Sequence, residues 1–236
     1  MNHRTLRAGV LAAGRGERLR SRASELKPLA RIGEETLIEH VLKSMEQAGA
    51  GEVVVIINED SRAVRDYVAR RDWPFGLRWI VETTPTSMHS FLRLVETLAA
   101  DGNDGPFLLS TVDTVAGPNA YGDFIEQARR DNAAISLALT SPGNDEKPLL
   151  VTTAGSRIER FGAGEYATAG IYAVRPIILR EAEPARRDGL GALRAFLARL
   201  LERGYPLAAI PIARAIDVDH PEDIAEAETF LRSAGK

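Results

Sequence analysis

The feature that most constrains this chain is an alternation of short, β-rich apolar runs with longer stretches of helical periodicity. Strands are predicted at 7–13, 52–58, 77–82, 106–111, 134–140, 149–153 and 169–174. Helices are predicted at 36–48, 61–71 and 88–100, the first with Leu37, His40, Val41, Ser44 and Met45 on one face. Strands separated by helices must be joined by crossovers, which predicts an α/β fold: a Rossmann-like, mixed but mostly parallel sheet flanked by helices. After about residue 145 the runs shorten, and Ala154 and Gly155 separate two strand-like pieces. This reads as a small antiparallel hairpin insertion at about 145–168. Two further helices are predicted at 190–203 and 221–232, the second with Pro221 at its first position and Glu222 and Asp223 in its first turn. With no repeat or linker in view, residues 1–236 are expected to form one domain.

Composition narrows the function classes. The chain has 44% hydrophobic and 27% charged residues, so it can bury a large core. A net charge of −3 does not predict a nucleic-acid or membrane surface, although local clusters can still take small anions. The absence of cysteine excludes disulfides, thiolate metal sites and cysteine nucleophiles, and suits a reducing compartment. The histidines, His3, His40, His89 and His220, are too scattered in sequence to suggest a metal cluster. The apolar run after the basic amino terminus is too short for a signal peptide, and no stretch reaches the ~18 apolar residues of a membrane span. A soluble, cytoplasmic protein is expected. Oligomeric state is not legible.

The strongest local signal is the first strand running into Leu11, Ala12, Ala13, Gly14, Arg15, Gly16, Glu17, Arg18 and Leu19. Small residues after a buried strand let backbone N–H groups form an anion-binding nest, and Arg15, Arg18 and Lys27 add positive charge. A polyphosphate is the ligand such a loop suits, and a plain tight turn is the alternative reading. A P-loop would need Lys then Ser or Thr after the second glycine, and Arg15 and Gly16 stand in the way. A dinucleotide fingerprint would need a small residue at Leu19 and a helix opening at once, which Lys27 and Pro28 contradict.

Carboxylates offer hard oxygen ligands for a divalent cation. Asp113 lies just past an apolar strand, where the carboxyl ends of parallel strands collect ligands, and it also suits an Asx-type turn. Asp217 and Asp219 precede Pro221, where an aspartate also makes good helix-start chemistry.

Taken together, Leu11 to Gly14, Gly16, Arg18 and Leu19, then Lys27, Pro28 and Leu29, and then the Gly33 turn closely resemble the signature of the nucleotidyltransferases that make nucleotide sugars and related activated alcohols. The resemblance runs from Leu6 to Leu231 and implies the nucleotide-diphospho-sugar transferase fold. It implies a Mg²⁺-dependent enzyme that condenses an NTP with a sugar 1-phosphate or related phosphorylated alcohol and releases pyrophosphate. Arg18 and Lys27 would neutralise the triphosphate, and Leu11, Ala12, Ala13, Gly14, Arg15 and Gly16 would wrap it. Asp113 would hold the metal together with Asp217, or with Asp219, where some relatives place the second aspartate. The base would be read near Glu82 and Ser87, although Ser87, His89 and Ser90 stand where glycine or alanine is usual. Glu82 can only accept, which suits the donor groups of cytosine or guanine and equally a surface role. Residues 168–172 resemble the strand facing the acceptor, with Gly170 permitting close approach, a packed central strand being the alternative; Lys147, in the inserted hairpin, is either a contact to the acceptor's phosphate or a solvated loop lysine. Two other readings are a glycosyltransferase of the related fold and a binding or regulatory protein without turnover. The first would want an Asp-x-Asp pair, but Val115 stands two residues after Asp113. The second is favoured by Ser87 and His89.

Overall fold

The computed structural model describes residues 5–14, 26–143 and 148–234. In chain order the elements begin with β1 (Leu6–Ala12), a hairpin of β2 (Arg31–Ile32) and β3 (Glu35–Thr36), α1 (Leu37–Gln47), β4 (Ala50–Ile57), α2 (Arg62–Val68), β5 (Gly76–Val81) and α3 (Ser87–Ala99). Then come β6 (Phe107–Thr111), β7 (Thr114–Ala116), α4 (Ala120–Arg129), β8 (Ile135–Thr140), β9 (Leu150–Ala154), β10 (Arg157–Phe161) and β11 (Tyr166–Val174). The chain continues through α5 (Ala182–Arg187), α6 (Leu193–Glu202), β12 (Leu207–Pro211), β13 (Ala215–Asp217) and α7 (Pro221–Ala234).

The main sheet has nine strands in the order β5-β4-β1-β6-β11-β8-β12-β10-β9. The first four are parallel neighbours, and β12 lies parallel to β8. β11 enters antiparallel between β6 and β8, so the sheet is mixed, as predicted. β9 and β10 pair antiparallel, the hairpin that the Ala154 and Gly155 break anticipated. Along β4, successive side chains point to opposite faces, and both faces are covered. Val53, Val55 and Ile57 pack with Ile38, Val41 and Met45 of α1, whereas Val54 and Ile56 pack with Phe91, Leu94 and Val95 of α3.

Several elements lay below the sequence signal. β12 is an alanine-rich run between Pro206 and Pro211, a composition poor in strand formers. α4 buries Tyr121, Phe124, Ile125 and Ala128 at helical spacing, but Gly122 inside it dilutes its propensity. α2 is shorter than predicted, and Ser61 precedes it without a capping hydrogen bond.

The start of α1 is fixed electrostatically. Thr36 and Glu39 form a capping box, and Glu35 accepts from His40 Nδ1 at 2.9 Å and Lys43 Nζ at 2.5 Å. Burial alone would raise the Glu35 pKa, but the contacts from His40 and Lys43 outweigh it and hold the carboxyl at about 2. A depressed carboxyl contributes stability that is complete above its ordinary value of 4.5 and is lost as pH falls through about 2. Glu35→Gln is therefore expected to lower stability at neutral pH by roughly 2–3 kcal/mol and to flatten the acid limb below pH 4.5. Urea midpoints measured from pH 7 to pH 2.5 check both effects; equal acid limbs for the two proteins would contradict them.

Candidate active site

Three segments distant in sequence meet beyond the carboxyl ends of β1 and β6. The first is the 3-10 turn Lys27–Leu29, which buries Lys27 to 8% exposure. The second is the tight connection between β6 and β7, which carries Asp113. The third is β13 and the residues after it, with Asp217 and Asp219. β13 pairs antiparallel with β7, setting Asp217 opposite Thr114 and Ile216 opposite Val115, and the Val218 N–H donates to the Asp113 carbonyl at 3.0 Å. The sequence Ile216-Asp217-Val218-Asp219 alternates, and the alternation decides which way each side chain goes. Ile216 and Val218 are buried with Ala30, Ile32, Leu37, Val115 and Ala227, leaving both aspartates outside this apolar cluster. The Asp223 carboxylate accepts from the N–H groups of Asp219 and His220 at 2.9 and 2.7 Å, fixing the entry to α7.

Asp113, Asp217 and Asp219 each offer an oxygen within 4.8 Å of the others. Lys27 lies among them, with Nζ 2.7 Å from Asp113 and 2.5 Å from Asp219. Burial alone would lower the Lys27 pKa; Asp113 and Asp219 more than reverse this and hold it above the ordinary lysine value. The sequence offered Lys27 only as positive charge for a phosphate, and the structure adds a structural role. Its ammonium is buried and offsets the repulsion between carboxylates. A set of hard, anionic oxygens already holding a cation suits a divalent metal ion.

Two cavities flank this cluster. One, of about 930 Å³, is bordered by Leu11, Ala13, Gly14, Lys27, Asn58, Thr83 to Ser87, Ser90 and Asp113. The other, of about 500 Å³, is bordered by Thr114, Thr140, Thr168, Gly170, Tyr172, Arg214 and Asp217. Ser87, Thr111, Leu193, Arg194 and Asp219 border both.

Leu11, Ala13 and Gly14 thus reach the cavity, whereas Ala12 is buried beneath them. A Cβ on Gly14 would meet nothing within 4 Å among the described residues. Gly170 differs: its φ is +71°, and a Cβ there would fall 2.3 Å from Thr114 Oγ1 and 2.6 Å from Thr111 Oγ1. It sits where the register of β11 against β8 shifts, between Thr168 and Tyr172. The Ser87 hydroxyl accepts from the Leu193 N–H at 3.1 Å and so ties the start of α3 to that of α6. Glu82 does not border either cavity. Its carboxylate is 3.0 Å from Arg93 Nε on α3, the surface role that the sequence also allowed. Arg15, Gly16, Arg18 and Lys147 lie outside the described residues.

A family model described as a MobA-like NTP transferase domain matches residues 8–183. The chain belongs to the MobA-like NTP transferase domain family. Among relatives of this NTP transferase domain, the mannose-1-phosphate guanyltransferase of Yarrowia lipolytica is 26% identical over 181 residues, covering 72% of this chain and 49% of that protein. The bifunctional IPC transferase and DIPP synthase of Rubrobacter xylanophilus is 29% identical over 248 residues, covering 95% of this chain and 51% of that protein. The chain thus spans about half the length of these curated relatives. The solved inositol-1-phosphate CTP transferase from T. maritima is 21% identical with a TM-score of 0.79, covering 95% of both chains. A putative glucose-1-phosphate thymidylyltransferase from Bacillus anthracis is 16% identical with a TM-score of 0.81, covering 96% of this chain and 95% of that one. The fold is that of the nucleotide-diphospho-sugar transferases. Among the described residues no helix is long and apolar enough to cross a membrane.

Removing the Lys27 charge leaves Asp113 and Asp219 facing each other without it. Lys27→Met is expected to destabilise the free protein by about 1–3 kcal/mol at neutral pH. Millimolar Mg²⁺ should restore more of the melting temperature in this variant than it adds to the parent. Thermal melts with and without Mg²⁺ check this, and a variant that melts like the parent in both would contradict it.

Proposed function

We propose that residues 1–236 act as one nucleotidyltransferase domain that condenses an NTP with a sugar 1-phosphate or related phosphorylated alcohol and releases pyrophosphate. The observation that carries this reading is the Lys27, Asp113, Asp217 and Asp219 cluster standing between two cavities in a chain of the NTP transferase family. The names of the relatives support the acceptor class, since they specify mannose 1-phosphate, inositol 1-phosphate and glucose 1-phosphate.

In the proposed reaction an oxygen of the acceptor's phosphate attacks the α-phosphorus of the NTP. The bond from α-phosphorus to the bridging oxygen breaks, and pyrophosphate leaves with that bonding pair. The larger cavity takes the nucleotide, with Leu11 to Gly16 around the triphosphate and Ser87 on its border. The smaller cavity takes the acceptor against Gly170, with Lys147 available to its phosphate. Arg18 and Lys27 neutralise the charge of the triphosphate, Lys27 exchanging carboxylate oxygens for phosphate oxygens. Asp113, Asp217 and Asp219 would hold Mg²⁺, which when bound supplies Lewis-acid neutralisation of phosphate charge. Little covalent chemistry falls to the protein; its work is to place two anions in line and hold their charge.

The test is pyrophosphate release across the four NTPs with mannose, glucose and inositol 1-phosphates. At least one pair should turn over with Mg²⁺ and stop with excess EDTA. Asp113→Asn and Asp217→Asn should each lower that rate by more than about a hundredfold with the fold retained, because an amide lacks the charge to hold the ion. Full activity in both variants would remove the carboxylate cluster from the mechanism, and no turnover with any pair would overturn the assigned acceptor class.

A further inference from the structure

The larger cavity has two ends. Lys27, Asp113 and Asp219 mark the one near β1 and β6, and the residues following β4 and β5 mark the other, since those strands lie on the far side of β1 in the sheet. At this second end most polar side chains already have partners. Thr84 Oγ1 lies 2.5 Å from Ser90 Oγ, Thr86 Oγ1 lies 2.8 Å from His89 Nδ1, and Thr83 Oγ1 accepts from the Glu59 N–H at 3.2 Å.

Asn58 is different. It follows the last residue of β4 and is 5% exposed, and its Nδ2 donates to the Ala13 carbonyl at 3.3 Å. Its Oδ1 is buried and, among the described residues, has no hydrogen-bond partner. The amide cannot simply be reversed, because the atom facing a carbonyl must be the donor. A buried acceptor without a donor is costly and rare, and one bordering a cavity points to a ligand that supplies the donor.

We infer that Asn58 reads the nucleobase: Oδ1 accepts an N–H from the base edge while Nδ2 holds the Ala13 carbonyl, keeping the backbone before Gly14 against the same ring. This rests on the nucleotidyltransferase reading, which puts the triphosphate at Lys27 and hence the base at the other end. An acceptor sorts bases sharply. Set opposite the exocyclic position, where cytosine and adenine carry an amine and uracil and guanine a carbonyl, an acceptor rejects the carbonyl because two acceptors then face each other.

The experiment measures dissociation constants of ATP, CTP, GTP, UTP and inorganic tripolyphosphate for the full chain and for Asn58→Ala and Asn58→Leu. The parent should prefer CTP over UTP, or ATP over GTP, by more than tenfold, and a parent that prefers UTP or GTP would overturn the role of Asn58. Both variants should lose at least tenfold in affinity for the preferred NTP and rank the four within threefold, with tripolyphosphate binding unchanged within twofold. Should the variants fail to fold, the Asn58 side-chain amide resonances of the parent provide the second measurement, and they should move with the preferred NTP and stay fixed with tripolyphosphate. Variants that keep the parent's ranking, or resonances that respond equally to tripolyphosphate, would overturn the role of Asn58 and leave the nucleotide site standing. A parent that binds none of the NTPs would overturn both.

Discussion

An ammonium held between two carboxylates governs this structure. Asp113 and Asp219 belong to segments more than a hundred residues apart and approach closely enough to share the Lys27 Nζ. Like charges at that spacing repel, and the arrangement is stable because a buried cation stands among them. The same interaction anchors the turn Lys27–Leu29, of which Lys27 is the first residue. Beneath it, the cluster of Ile32, Leu37, Val115, Ile216 and Val218 supplies the rigid floor. Apolar residues set the positions of the charged ones, and the charged ones leave a place that is complete only with positive charge in it.

That demand explains the two cavities. A triphosphate and a phosphorylated acceptor are both anions, and bringing them together is the main obstacle to their reaction. In the proposed reaction, a lysine and three carboxylates able to hold a metal ion, standing between two cavities, would offset that repulsion where the anions meet. The joint between α3 and α6 fits the same plan. Ser87 accepts from the Leu193 N–H and the Gly191 carbonyl accepts from the Met88 N–H, so one contact shapes the wall common to both cavities.

Much of this was legible in the amino-acid sequence. The early strands and crossover helices were readable because β4 is a continuous apolar run and α1 and α3 have clean helical faces. Asp113, Asp217 and Asp219 were nameable one by one, but their meeting depends on the short pairing of β7 with β13, two three-residue strands without a periodic signal of their own. The burial of Lys27 was hidden for the same reason, since it comes from partners far along the chain. For Glu82 the sequence left a base contact and a surface role open, and its ion pair with Arg93 on the following helix was not legible. Asn58 carried a positional signal, following a parallel strand next to β1, yet only the structure shows its oxygen without a donor among the described residues.

The most direct measurement of the central claim is the anomalous scattering of Mn²⁺ in crystals grown with a non-hydrolysable NTP analogue. The account predicts one strong peak coordinated by Asp113 with Asp217 or Asp219, and triphosphate density reaching Lys27 Nζ. A triphosphate bound away from Lys27, or Mn²⁺ peaks confined to other carboxylates while these three stay without metal, would contradict it.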